Sequence, residues 1–213
     1  MFSDRVDAGR KLATHLAAYR GAPDTVVLGI PRGGVVVAAE VARDLCLPLD
    51  IVLAAKVAAP ENPEFAVGAL TEDGELLANR QAGYSREALA GIAGAAREKI
   101  AHQLADLRGG MPAQPLAGRT AIVVDDGLAT GLTALAAVRY LRRLGVAKVI
   151  LAVPVAAADS AAILQPEVDA FVAAEIPSFF SAVGQFYGSF GQTPDSEVRA
   201  LLEDAASRRT WSL

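Results

Sequence analysis

Apolar positions along this chain alternate between two patterns. Runs rich in aliphatic and β-branched residues stand at 25–30, 49–53, 120–124 and 148–153, with a further candidate at 169–173. Runs of that length read as strands buried on both faces. Between them, apolar residues recur every three or four positions, the spacing of a helix with one inner face. Ser3 or Asp4 can cap the first such helix, which turns Leu12, Leu16 and Tyr19 inward. Further helices are predicted over 35–45, 85–107, 132–144 and 159–164. The long one carries a stripe of Ile92, Ala95, Ala96, Ile100 and Leu104. Gly21-Ala22-Pro23, Pro31-Arg32-Gly33-Gly34, a loop marked by Asn62-Pro63, and Gly145 punctuate the pattern. Residues 67–70 and 75–77 predict a hairpin around Glu72-Asp73-Gly74, and a Pro/Gly-punctuated connection is expected over 111–118. The order predicts an α/β fold with a doubly wound, mainly parallel sheet.

Composition adds a division within that fold. The 213 residues suit one domain, or one domain with a small accessory lobe. Hydrophobic residues make up 53 % but aromatics only 6 %, so the core must be aliphatic. Yet Phe179, Phe180, Phe186, Tyr187 and Phe190 cluster near the end. A covering lobe is therefore expected over about 174–213 with part of the N-terminal segment. A helical insertion at about 79–110 could cover the site or mediate a homodimer. The net charge of −4, with no basic stripe, argues against nucleic acid as a partner. The longest apolar run, 149–158, is half a membrane span and contains Pro154. Met1-Phe2-Ser3-Asp4-Arg5 holds no apolar signal region. These features predict a soluble, cytoplasmic protein without membrane partners. Cys46 reads as a small buried hydrophobe. His15 and His102 read as surface residues of helices.

Chemistry concentrates in one segment. Four strand-forming residues at 121–124 run into Asp125-Asp126, then Gly127-Leu128-Ala129-Thr130-Gly131 turns into a helix near Leu132. Ligands of open α/β sheets bind at the carboxyl ends of strands. Free amides at a helix start attract anions, but the dipole contributes only about 0.3–2 kcal/mol. Several amides and the hydroxyls of Thr130 and Thr133 must therefore share an anion. Two adjacent carboxylates repel a phosphate and suit neutral hydroxyls, or a divalent cation through water. A vicinal diol with a phosphate nearby fits both halves, as in ribose 5-phosphate. The plainer alternative is an acidic strand end that only caps the helix.

The run Asp125-Asp126-Gly127-Leu128-Ala129-Thr130-Gly131-Leu132-Thr133 resembles the 5-phosphoribosyl-1-pyrophosphate (PRPP) signature of type I phosphoribosyltransferases. Gly29-Ile30-Pro31-Arg32-Gly33-Gly34, Asn62-Pro63-Glu64-Phe65-Ala66-Val67-Gly68-Ala69 and Ala182-Val183-Gly184-Gln185-Phe186-Tyr187 are similar to a bacterial subfamily of that family with no assigned substrate. The resemblance implies a glycosyltransferase of the pentosyltransferase kind. It would use PRPP and Mg2+, release pyrophosphate, and load an unidentified small-molecule acceptor. It implies that Asp125 and Asp126 hold the ribose hydroxyls, and Mg2+ indirectly through water or those hydroxyls. Residues 127–131 with Thr130 and Thr133 would hold the 5′-phosphate. Pro31-Arg32-Gly33 would form the pyrophosphate loop, and Lys56 would open a mobile segment over PRPP.

Elementary chemistry supports the last two roles less strongly. Arg32 between Pro31 and Gly33 can meet pyrophosphate bidentately, or it is a surface arginine in a turn. Lys56 follows an apolar run, and residues 58–64 form either a lid or an ordinary loop. An Ile30-Pro31 bond could be cis at low cost. Arg32 and Lys56 would stabilise the leaving group. Ala129 stands where some 6-oxopurine transferases place an acid, which disfavours that chemistry. Phe179, Phe186 and Tyr187 could stack on an acceptor ring, or fill the lobe's own core. A non-catalytic PRPP-binding or nucleotide-binding regulator of the same fold is the alternative. A dinucleotide-binding dehydrogenase lacks its Gly-x-Gly-x-x-Gly turn.

Overall fold

The computed structural model describes residues 1–60, 62–79, 82–111 and 113–210. Five strands form a parallel sheet: β1 (Thr25–Gly29), β2 (Leu49–Ile51), β6 (Thr120–Val124), β7 (Lys148–Val155) and β8 (Ala170–Glu175). Their order is β2-β1-β6-β7-β8. Chain progress therefore reverses direction between β1 and β6. That reversal is the switch point at which doubly wound sheets open a crevice for ligands.

Beyond their first residues the inner strands are apolar because both faces are covered. Val27, Ile122, Val124, Ile150 and Ala152 face one core cluster, with α1 (Arg5–His15), α2 (Gly33–Leu45) and α6 (Asp195–Thr210). Val26, Leu28, Ala121, Val123, Val149 and Leu151 alternate to the other face, against α4 (Leu132–Arg143) and α5 (Ala158–Leu164). Asp4 caps α1, its carboxylate accepting the Asp7 amide at 2.9 Å.

A second sheet is antiparallel: β3 (Ala54–Ala59), β4 (Asn62–Thr71) and β5 (Leu76–Ala78). The expected hairpin around residues 72–74 is its β4–β5 turn. The expected loop between Lys56 and Phe65 is not a loop where it is described. Residues 54–59 and 62–66 pair as strands, while Glu61 lies outside the described residues. In β3, Ala54, Val57 and Ala59 are buried while Lys56 is exposed. Alanine is a poor strand former, so that alternation carried little signal in the sequence. Asn62-Pro63 opens β4, where a proline needs no ladder donor.

The long helix α3 (Arg86–Arg108) packs on β3, β4 and α6. Within the expected insertion, residues 80 and 81 lie outside the described set, as does Pro112 of the 111–118 connection. Cys46 is exposed, not buried: it caps α2 in the left-handed conformation with φ 54°, which turns its side chain away from the inner face. His15 and His102 are exposed. Among the described residues no helix is long and apolar enough to cross a membrane.

Candidate active site

β1 and β6 run in parallel with Gly29 opposite Val124, so the segments that follow them leave the sheet at the same level. The Ile30 amide donates to the Val124 carbonyl at 2.9 Å and prolongs the pairing by one residue. The structure thereby brings Pro31-Arg32-Gly33 against Asp125-Asp126, as close as two backbones pack. A Cβ on Gly33 would collide with Asp126 Oδ2, and one on Gly34 would fall 2.9 Å from Asp125 Cα. The closest contacts at Gly34 are with backbone and leave no room for a side chain, whereas those at Gly33 are with the side-chain ends of Asp126 and Arg5. The Ile30–Pro31 bond is trans; the cis bond is the next one, Pro31–Arg32.

The loop after β6 is pinned from beneath. The Leu128 amide donates to the Val155 carbonyl and the Ala157 amide to the Leu128 carbonyl, both at 2.9 Å. The Ser160 hydroxyl donates to the Ala129 carbonyl. The Leu128 amide is thus engaged by the fold and is no anion donor. The amides of Ala129, Thr130 and Gly131 have no hydrogen-bond partner among the described residues. Gly131 takes φ 68°, the left-handed turn that starts α4. Residues 127–134, Asp125 and Val183 line a cleft of 180 Å³.

The two carboxylates are energetically poised. Burial pushes Asp125 well above the ordinary carboxylate range, and the neighbouring charge of Asp126 pushes the same way. Burial also raises Asp126, against the pull of Arg5. A ligand offering hydroxyl donors would relieve that cost.

Arg5 had no signature in the sequence beyond its place at a helix start. Its Nε donates to Asp126 Oδ2 at 2.8 Å and its Nη1 to the Gly191 carbonyl at 2.7 Å. Its guanidinium lies 4.0 Å from the centre of the Phe190 ring. The pair is largely withdrawn from water, at 13 % and 17 % side-chain exposure. Arg5 thus fixes one carboxylate and ties it to the C-terminal aromatic segment.

That segment forms a small cluster of its own. Phe2, Ala8, Val155 and Tyr187 are buried there, with Phe180, Val183 and Phe186 packed against them. Tyr187 packs between Phe2 and Phe190, at 5.5 and 4.9 Å between ring centres. Its hydroxyl donates to the Asp126 carbonyl at 2.5 Å, and burial holds the phenol far above its usual titration range. Tyr187→Phe leaves that carbonyl without its partner. It is expected to cost about 1–3 kcal/mol of stability, read as a lower midpoint in denaturant. Phe179 is 75 % exposed.

Arg32 is half-exposed and 3.7 Å from Asp195 at the start of α6. Lys56 is exposed on β3, its Cα opposite Ala69. It is not among the residues that line the 180 Å³ cleft. The structure therefore joins the two loops directly and leaves Lys56 on the neighbouring sheet. Among the described residues no group of three or more His, Cys, Asp or Glu side chains could hold a metal by itself.

The sequence matches the phosphoribosyl transferase domain over residues 4–187, which includes Arg5, both loops and Tyr187. The chain belongs to the phosphoribosyl transferase domain family. A curated relative in Mycobacterium tuberculosis (strain H37Rv), named "Putative phosphoribosyl transferase Rv0571c", is 43 % identical over 209 residues. Those residues are 96 % of this chain and 47 % of the relative, so the chain spans about half the relative's length. The crystal structure of TT1426 from Thermus thermophilus is similar at 41 % identity, with a TM-score of 0.82, covering 96 % of this chain and 98 % of that one. A purine phosphoribosyltransferase from Pyrococcus horikoshii Ot3 is more distant, at 16 % identity and a TM-score of 0.45 over 84 % of this chain and 94 % of that one. The matched span of the phosphoribosyl transferase domain stops before α6, which packs on α2, α3 and β2.

Proposed function

We propose that the crevice between β1 and β6 binds PRPP and transfers its ribose 5-phosphate to a small-molecule acceptor, releasing pyrophosphate. The observation that supports this best is the juxtaposition of the two loops, with Gly33 directly against Asp126. The amides of residues 129–131 and the hydroxyls of Thr130 and Thr133 would hold the 5′-phosphate at the start of α4. Asp125 and Asp126 would accept hydrogen bonds from the ribose hydroxyls. Arg32, paired with Asp195 only at 3.7 Å, can turn its fork to the pyrophosphate. Lys56 would assist if the antiparallel sheet closes over the crevice.

The reaction breaks the C1–O bond of PRPP, and an acceptor lone pair takes the vacated position. The protein's contribution is to place the ribose and stabilise the departing charge. Mg2+ would neutralise charge on the pyrophosphate. Two largely buried carboxylates, one already bound to Arg5, fit a metal held mainly by the substrate and water and not by the protein. We place the acceptor against residues 174–192, with the exposed ring of Phe179 available for stacking. Ala129 offers no proton to a purine. The cytoplasm is the expected compartment.

The test incubates the protein with PRPP, Mg2+ and a panel of nucleobases and small amines, and measures pyrophosphate. Release that depends on one acceptor is the expected outcome. Saturable PRPP binding with no release across the panel would replace the enzyme by a PRPP-binding regulator.

A further inference from the structure

A second cavity lies elsewhere. It encloses 370 Å³ beside the edge strand β2. Tyr140 of α4 and Leu144 just after it form one wall, and Ala113, Gln114, Leu116 and Ala117 another. Tyr140 lies seven residues beyond Thr133, or about 10 Å along the helix at about 1.5 Å per residue. Ligand cavities of small molecules start at about 300 Å³.

Its walls combine apolar surface with a charged edge. Ile51, Val52, Leu116 and Leu144 supply the apolar part. The edge holds Asp50, Glu72 and Arg108, two negative charges against one positive. Asp50 is well satisfied: its Oδ1 accepts the Ile51 amide and its Oδ2 the Gln114 amide, both at 2.8 Å. Glu72 is not. Its Oε1 accepts the Leu53 amide at 2.8 Å. Its Oε2 meets the Tyr140 hydroxyl at 3.5 Å and Arg108 Nη1 at 3.7 Å, both beyond good hydrogen-bond length. The Glu72 side chain is 11 % exposed. Among the described residues that oxygen, largely withdrawn from water, is met only by these two long contacts and can take a closer donor. Burial pushes Glu72 above its ordinary range, and the neighbouring phenol of Tyr140 is pushed up to about 12.

We infer that this cavity is a second ligand site, separate from the β1–β6 crevice, and that it takes a small organic cation with an apolar body. The cationic N–H groups would sit on Glu72 Oε2, which balances the excess negative charge. The apolar body would lie on Val52, Leu116 and Leu144. Neutral or anionic analogues lack either the charge or the donors. Because α4 connects this wall to the phosphate cradle, a cation bound here is placed to influence PRPP.

Benzamidine, benzamide and benzoate share one ring and differ chiefly in charge. Calorimetric or ligand-observed NMR titration of the full chain should show saturable benzamidine binding, at least tenfold tighter than benzamide, with none for benzoate. Glu72→Gln should weaken benzamidine at least tenfold. Leu144→Lys, at a 40 % exposed position at the rim, should do the same by placing a like charge there. PRPP should not displace benzamidine, which separates this site from the crevice. Equal binding of benzamidine and benzamide, no saturable benzamidine binding, unchanged affinity in folded Leu144→Lys, or displacement by PRPP would each overturn the inference.

Discussion

Replacing Asp125 and Asp126 together by asparagine is expected to lower PRPP affinity at least about 100-fold in calorimetry, since each charge-assisted hydrogen bond contributes about 1.5–3 kcal/mol. Stability should move the other way. Asp125 is held above its ordinary range by burial first and by the charge of Asp126 second. Its ionised form is therefore less favourable folded than unfolded. The penalty is full above the raised folded value and vanishes as pH falls below the unfolded value of 3.8. Single Asp125→Asn should thus melt above the wild type at pH 7, and the gap should close toward pH 4. A melting temperature below wild type at neutral pH would mean that Asp125 is structural and not held in reserve for a ligand.

Gly34→Ala tests the packing that joins the two loops. The new Cβ would meet Asp125 Cα and the Val124 carbonyl, both at 2.9 Å. Both contacts are backbone, so the loops must separate. Overpacking of this kind costs about 1–3 kcal/mol. A shift near 1 Å at the crevice is expected to lower PRPP-dependent turnover about 100-fold. Gly94→Ala, on α3 with nothing within 4 Å of the added carbon, is the control. It should raise helix stability by about 0.5–1 kcal/mol and leave PRPP binding alone. Equal effects of the two substitutions would show that the loop contact does not matter.

Much of the fold was legible because burial on both faces leaves an unmistakable run. The strands at 25–29, 120–124 and 148–155 carry hardly a polar residue, and the acids of 125–126 stand out against them. The loop at 125–133 was legible for the same reason: charge, glycine and threonine follow an apolar strand without interruption. The alanine-rich residues 54–59 hid a strand, since packing against α3 and α4 overrides weak strand propensity. Helix α6 was hidden by a thin stripe of Val198, Leu202 and Ala205 among charged neighbours. Arg5 was invisible because its partner is 121 residues away. The loosely paired Glu72 was invisible too, because its cavity is assembled from β2, α4 and the connection after α3.

The most direct test is a crystal structure of the protein with PRPP and Mg2+. The expected density places the 5′-phosphate on the amides of residues 129–131, the ribose hydroxyls on Asp125 and Asp126, and the pyrophosphate beside Arg32. PRPP lying elsewhere, or bound in the crevice with its ribose hydroxyls away from both carboxylates, would contradict the account.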